Sequence, residues 1–478
     1  MTYPEAIQYL ESFINYERIP VWSYKGSLKL ERFRAFLSTI GNPQSALRCI
    51  HVAGSKGKGS TCAFLTYILR QAGYAVGLYT SPHLSDFRER IRILSPRPPA
   101  AVRAKTKDDF EGMISKRALT YVVRKLKPAI EAFSRTGGHG PLSFFEVYTA
   151  AAFVYFKKEN VDFVVLETGL GGRLDATNAA DALIPVITPI SYEHTQKLGT
   201  TLSKIAGEKA GIIKGRQAYV MGKKAASFIR RSSIVISAPQ EKEAGSVIRN
   251  RCRQVGRHLW EVGNQIRYAR SAHKGIFSIR GIYGRYARLK TKLPGAHQIV
   301  NAAVAVGAIE ALRNYGIVVR SQDIRKGIVQ TTWPGRCEVV SRTPLIVLDG
   351  AQNGASCRAL RVAIKENFRY RELVLVVGIS NDKDIPGICR ELRDLADAVI
   401  ITRARNPRAS APLALREHFN GLTTRITGSV QEALRCAAGR AKKKDLILIT
   451  GSLFVVGEAR AALKNMRSLA LKERGRPR

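Results

Sequence analysis

Leu47-Arg-Cys-Ile-His-Val-Ala-Gly-Ser-Lys-Gly-Lys-Gly-Ser60 is an apolar run that breaks into a glycine-rich turn. Its first seven residues, Leu47–Ala53, read as a short buried strand. From Ser60 to Ala72 the apolar residues Ala63, Phe64, Tyr67, Ile68 and Ala72 recur at helical spacing. Gly73 ends that helix, and Tyr74–Thr80 reads as a second strand. A strand, loop, helix and strand in this order predict a parallel, right-handed unit.

Outward from this unit, strand-like runs recur at Val161–Leu166, Leu183–Ile190, Leu345–Leu348, Leu373–Val377, Ala398–Thr402 and Leu446–Thr450, with helical patterns between most of them. That alternation predicts α/β architecture with parallel sheets. Gly211–Leu293 departs from it and reads as short strands and loops. Trp333-Pro-Gly-Arg336 marks a turn or linker, after which a fresh strand and helix series begins. The expected organisation is an N-terminal domain over residues 1–335, of P-loop type with a parallel sheet, and a smaller Rossmann-like α/β domain over 336–478.

The glycines of Gly54–Ser60 let backbone N–H groups approach phosphates, and the following helix N-terminus favours anions. Lys58 would reach the terminal phosphates and the Ser60 hydroxyl could ligate Mg²⁺. The Walker pattern is not met strictly, because Val52 stands where its first glycine would be and Gly59 follows the lysine. An ordinary turn carrying a lysine is the plain alternative. Val161–Leu166 ends in Glu167 and then Thr-Gly-Leu-Gly-Gly172. A carboxylate at the C-terminal end of a buried parallel strand sits where such sheets bind ligands, and its oxygens suit Mg²⁺.

The chain has 478 residues, 45% of them hydrophobic, which suits globular domains more than disorder. The apolar run Phe144–Phe156 is interrupted by Glu146 and too short to span a bilayer. The start lacks the pattern of a secretory signal. Seven cysteines, with no CxxC pair, point to a reducing cytoplasm. The formal charge of +41 is the oddest feature. It is locally enriched at Lys223–Arg231, Arg249–Lys292 and the tail Lys472–Arg478, which is expected to fray. Without a nucleic-acid-binding motif, the favoured reading is a basic surface spread over solvated faces.

His51-Val-Ala-Gly-Ser-Lys-Gly-Lys-Gly-Ser-Thr61 resembles the signature of folylpolyglutamate and dihydrofolate synthases, members of the Mur ligase superfamily, with Ser55 and Lys56 where Thr and Asn are usual. The resemblance runs on through Thr80-Ser-Pro-His-Leu84, Leu142-Ser-Phe-Phe-Glu146, Gly171-Gly-Arg-Leu-Asp-Ala-Thr-Asn178, Ala206-Gly-Glu-Lys209 and Leu348-Asp-Gly-Ala-Gln-Asn353. It implies the following roles. Gly57, Lys58, Gly59, Ser60, Asn301, Arg336 and Asp349 bind ATP. Ser60, Ser81, Glu167 and His194 hold Mg²⁺, two ions in all, and Lys209 carries a carbamate that assists. Phe144, Phe145, Glu146, Leu174, Asp175 and Ala176 line the pterin-carrying substrate site, and Lys58, Lys209 and His194 serve catalysis. Two departures stand out: Glu193 replaces an aspartate before His194, and Gln352 replaces a histidine.

The activity implied is ATP-dependent addition of L-glutamate to dihydropteroate or a reduced folate through an acyl phosphate. The active site is expected between the domains of a cytoplasmic monomer with small-molecule substrates only. The rivals are a Mur-type ligase acting on a cell-wall precursor, and a basic nucleic-acid-binding protein on an inactive ligase scaffold.

Overall fold

The structure is a computed structural model describing residues 1–19, 21–96, 110–135, 138–215, 233–271 and 275–474, with side chains to residue 465. The basic run Lys223–Arg231 and the side chains of the tail Lys472–Arg478 lie outside the described residues. Two compact units are present. The first comprises Met1–His83, Arg88–Lys292 and His297–Thr332; the second comprises Leu84–Phe87, Leu293–Ala296 and Trp333–Arg478.

The first unit is built on strands β1 (Cys49–Ala53), β2 (Val76–Tyr79), β3 (Ile91–Leu94), β4 (Phe163–Glu167), β5 (Ala182–Ile187), β6 (Ile234–Ser237) and β7 (His258–Glu261). They form one sheet in the order β3-β2-β4-β1-β5-β6-β7. All neighbours are parallel except β3, which runs antiparallel to β2 at the edge. β1, β4 and β5 are buried along their whole length. Central strands covered on both faces read as unbroken apolar runs, which is why these were legible.

The helix after the glycine loop is Lys58–Gln71, two residues earlier at its start than the apolar spacing indicated. Helix Phe144–Lys158 begins with a capping box in which Ser143 and Glu146 satisfy each other's backbone N–H groups.

Gly211–Leu293 differs from expectation. It contains a regular helix, Lys242–Gln254, whose buried residues Ala244, Ile248 and Cys252 sit four apart. Abundant arginine and a glycine inside the helix hid this narrow stripe. Two strands of the region, β6 and β7, extend the main sheet. Three more, β8 (Arg267–Arg270), β9 (Ile276–Arg280) and β10 (Arg285–Lys290), form a separate antiparallel sheet.

The second unit holds strands β11 (Glu338–Arg342), β12 (Leu345–Leu348), β13 (Leu373–Val377), β14 (Ala398–Ile401), β15 (Thr423–Ile426) and β16 (Leu446–Thr450). Their order is β11-β12-β16-β13-β14-β15. Only the edge strand β11 is antiparallel, to β12, so each main sheet is mixed at one edge where uniformly parallel sheets were expected. Among the described residues, no helix is long and apolar enough to cross a membrane.

Candidate active site

Sheet register brings the first unit's candidates together. Val52 of β1 pairs with Glu167 of β4, and Ala53 pairs with Ile187 of β5. The glycine loop, the Glu167 turn and the segment Thr188–His194 therefore leave the sheet side by side at its C-terminal edge.

The loop approaches its neighbours too closely for side chains. Gly54 has φ +148° and a Cβ there would lie 1.9 Å from Thr188 Oγ1. Gly57 has φ +80° and a Cβ there would lie 2.2 Å from Asn301 Oδ1. The amides of Ser55 and Lys56 donate to Pro189 O. Those of Lys58, Gly59 and Ser60 open the helix, which has no side-chain cap. The first amides of a helix lack intrahelical acceptors, so this end presents donors and a partial positive charge.

Lys58 Nζ donates to Gly54 O at 2.9 Å, and Lys209 Nζ donates to the same oxygen at 2.8 Å. Lys209 also pairs with Glu193 Oε1 at 2.7 Å, while Lys56 lies 3.9 Å from Glu193 Oε2. Burial pushes the Lys209 ammonium below its ordinary value; Glu193 opposes this and Lys58 adds to it. For Glu193, burial favours the acid form, yet Lys209, Lys58 and Lys56 hold its carboxyl well below the usual range. Lys209 thus stands here as a cation bound to Glu193. Glu193 emerges as a member of the cluster that the sequence marked only as a departure. Its proximity to three lysines follows from tertiary contacts.

Glu167 is 6% exposed, and its Oε2 accepts from Ser81 N at 3.2 Å. Glu167 and Lys58 both act on the buried Cys62 thiol: burial and Glu167 raise its pKa, and Lys58 lowers it. The two groups share one neighbourhood. Beside Glu167, Thr168 Oγ1 is buried with no hydrogen-bond partner among the described residues. His194 is exposed, with φ +47°, and opens the short helix Thr195–Leu198; its charge acts on Glu193.

The expected substrate-lining residues separate into different environments. Phe144 is fully buried, with the Arg90 guanidinium 5.4 Å from its ring centre. Phe145 is half-buried, close to Tyr79 and against Gly169, where a Cβ would come within 2.7 Å of its ring. Of the two rings, only Phe145 keeps surface to offer. Glu146 is engaged by Arg32 at 2.8 Å and by Ser143 N and Oγ, each at 2.7 Å.

Asp175 is equally occupied. Its oxygens accept from Thr177 N, Thr177 Oγ1, Gly169 N and Leu170 N. Burial raises its pKa while those hydrogen bonds oppose the rise. Thr177 Oγ1 lies 2.8 Å from His51 Nε2, and burial lowers the His51 pKa to about 3, keeping the ring neutral. His51, Thr177 and Arg32 were not singled out from sequence. No local pattern marks the pairs His51–Thr177 and Arg32–Glu146, since each spans more than a hundred residues. Leu174 is half-buried and Ala176 buried in the same turn.

In the second unit, Asp349 accepts from Cys337 N and Ala351 N, each at 2.8 Å. Arg336 is half-buried, donates to Gly335 O at 3.0 Å, and lies near Gly350. Gln352 follows, with its backbone N–H donating to Ser356 Oγ.

Comparison with known proteins agrees in both halves. Residues 123–309 match the Mur ligase middle domain, and residues 335–453 match the Mur ligase, glutamate ligase domain. The chain is 32% identical to the dihydrofolate synthase/folylpolyglutamate synthase of Bacillus subtilis over 441 residues, covering 91% of this chain and 95% of that protein. The E. coli FolC structure with DHPP and ADP superposes with a TM-score of 0.81 at 29% identity, covering 98% of this chain and 99% of that one. Mycobacterium tuberculosis folylpolyglutamate synthase, complexed with ADP and AMPPCP, gives 0.80 at 29% identity, covering 92% of this chain and 96% of that one.

Proposed function

This chain belongs to the dihydrofolate synthase/folylpolyglutamate synthase family of Mur ligases, and on that footing we propose that it joins L-glutamate to a folate-type carboxylate using ATP, with release of ADP and phosphate. The observation that carries this reading is the meeting of the phosphate-type loop, Lys58 and Lys209 with Glu167 at one sheet edge.

The loop amides and Lys58 bind the triphosphate, Lys58 exchanging Gly54 O for a phosphate oxygen. The substrate carboxylate attacks the γ-phosphorus, and the bond from phosphorus to the ADP oxygen breaks. Charge developing on the transferred phosphoryl group is met by Lys58 and the helix N-terminus, donors already in place. The uncharged amine of glutamate then displaces phosphate from the acyl phosphate. Arg336 and Asp349 contribute to nucleotide binding in this proposal. Phe145 offers its open face to the pterin ring.

The donor set fits Mg²⁺. A single carboxylate, Glu167, with the hydroxyls of Ser60 and Ser81 suits an ion that takes oxygen ligands and completes its shell with water and phosphate. The orphaned Thr168 hydroxyl beside Glu167 agrees with a polar occupant. Bound there, Mg²⁺ would supply charge neutralisation to the phosphates. A second ion near His194 fits less well, because Lys209 is engaged as a cation; the carbamate that would make it a ligand belongs to the proposal. So does a reducing, cytoplasmic setting, supported by seven free cysteines, six of them buried.

The test is glutamate incorporation with ATP on dihydropteroate and tetrahydrofolate side by side. ATP-dependent product with either supports the reading, and none with both would remove it.

A further inference from the structure

The sheet β8–β10 carries a feature that ligation does not use. Its register sets Arg267 opposite Arg280, and Arg280 opposite Arg285. Directly opposed residues share a face, on strands about 4.8 Å apart. Three exposed arginines therefore form one row across the sheet. The other face is packed, with Phe277, Ile279, Tyr286 and Leu289 buried.

Like charges directly opposed repel. At a screening length of about 8 Å in physiological salt, neighbours in the row still feel one another. Among the described residues no carboxylate neutralises them. Between Glu261 and Glu310 the sequence holds eight lysines and arginines and no acidic residue. Glu261 pairs with Arg249. Glu310 is buried, and its carboxylate accepts from Ile282 N, Tyr283 N and Tyr286 OH. Among the described residues no carboxylate pairs with Arg280, Arg285, Arg288 or Lys290. One aromatic ring stands exposed beside the row, Tyr283 at 47% in the β9–β10 turn, with the Arg313 guanidinium 4.8 Å from its centre and Trp260 edge-on to it, whereas Tyr268 shares the face of Ile279.

We propose that this face binds single-stranded nucleic acid, with phosphates along the row Arg267–Arg280–Arg285 and a base on Tyr283. A guanidinium fork matches phosphate oxygens in pairs, and an exposed ring takes any base by stacking. An acidic peptide would meet the charge but leave the Tyr283 ring unused. The site adds to ligation and is independent of it.

Full-length protein would be titrated with a fluorescently labelled uridine 20-mer, reading anisotropy across a salt series. The triple variant R267Q/R280Q/R285Q is expected to bind at least tenfold more weakly. Its salt slope should fall by about 2, near 0.7 per lost phosphate contact on a single strand. Ligation should be unchanged. The variant R117Q/R124Q/K125Q removes the same formal charge from exposed positions of helix Lys116–Arg135 and should bind as the parent does. Equal losses in both variants, or no loss in the first, would overturn the proposal. So would tighter binding of a polyglutamate peptide or an anionic phospholipid vesicle than of the oligonucleotide.

Discussion

The ammonium groups of Lys58 and Lys209 converge on one oxygen, the carbonyl of Gly54, at 2.9 and 2.8 Å. With Lys56 also near, a single carboxylate, Glu193, faces three lysines. The cluster carries surplus positive charge at a helix N-terminus, an arrangement suited to a polyphosphate anion.

Lys58→Ala removes the side chain proposed to meet the transferred phosphoryl group. Turnover should fall by roughly 10²- to 10³-fold, the usual cost of losing one preorganised donor. ADP release at saturating ATP measures it, with circular dichroism to verify folding. Activity near that of the parent would remove Lys58 from the mechanism.

Glu193→Gln leaves the Lys209 ammonium buried without its counter-ion. Breaking such a pair costs about 3 kcal/mol, at the lower end because Glu193 is 15% exposed. The pH dependence has a definite sign. Because the folded-state pKa of Lys209 is lowered, the native state gains relative stability as pH rises through that value toward the ordinary 10.5. The variant, deprived of the opposing carboxylate, should recover more than the parent between neutral and alkaline pH. The parent, whose Glu193 pKa is lowered, should lose that carboxylate's contribution as pH falls below the ordinary 4.5. Urea denaturation at several pH values reads both trends.

Arg32→Met strips Glu146 of its partner in a pair whose side chains are 7% and 6% exposed. A loss of about 3–5 kcal/mol is expected from the uncompensated buried carboxylate, seen as an earlier unfolding midpoint. If Glu146 serves chiefly to hold its helix, the KM for the folate substrate should move little in the protein that remains folded. A large KM change without loss of stability would return Glu146 to direct substrate contact.

Gln352→His installs the residue that the family resemblance implies at this position. Turnover should stay level or rise, since imidazole keeps a donor and an acceptor and adds a titrating proton. A steep loss in steady-state turnover would show that the segment Asp349–Asn353 is misaligned with its relatives.

The phosphate-type loop, the strands beside it and the Glu167 turn were legible because each is written over a few consecutive residues. Apolar runs give buried parallel strands, and glycines followed by helical spacing give a turn that opens a helix. Helix Lys242–Gln254 was not legible, since four-residue spacing of three buried residues is weak against a background of arginine.

Sequence alone indicated the α/β class, the glycine loop between strand and helix and, by resemblance, the family, each carried by short stretches of consecutive residues. Tertiary structure decided that Glu193 neutralises Lys209, that Glu146 and Asp175 are already hydrogen-bonded, that Phe145 rather than Phe144 keeps open surface, and that three arginines line up across β8–β10. The physical reason is sheet register and packing. They bring together charges that lie far apart in sequence, and a group's partners set its ionisation and its availability.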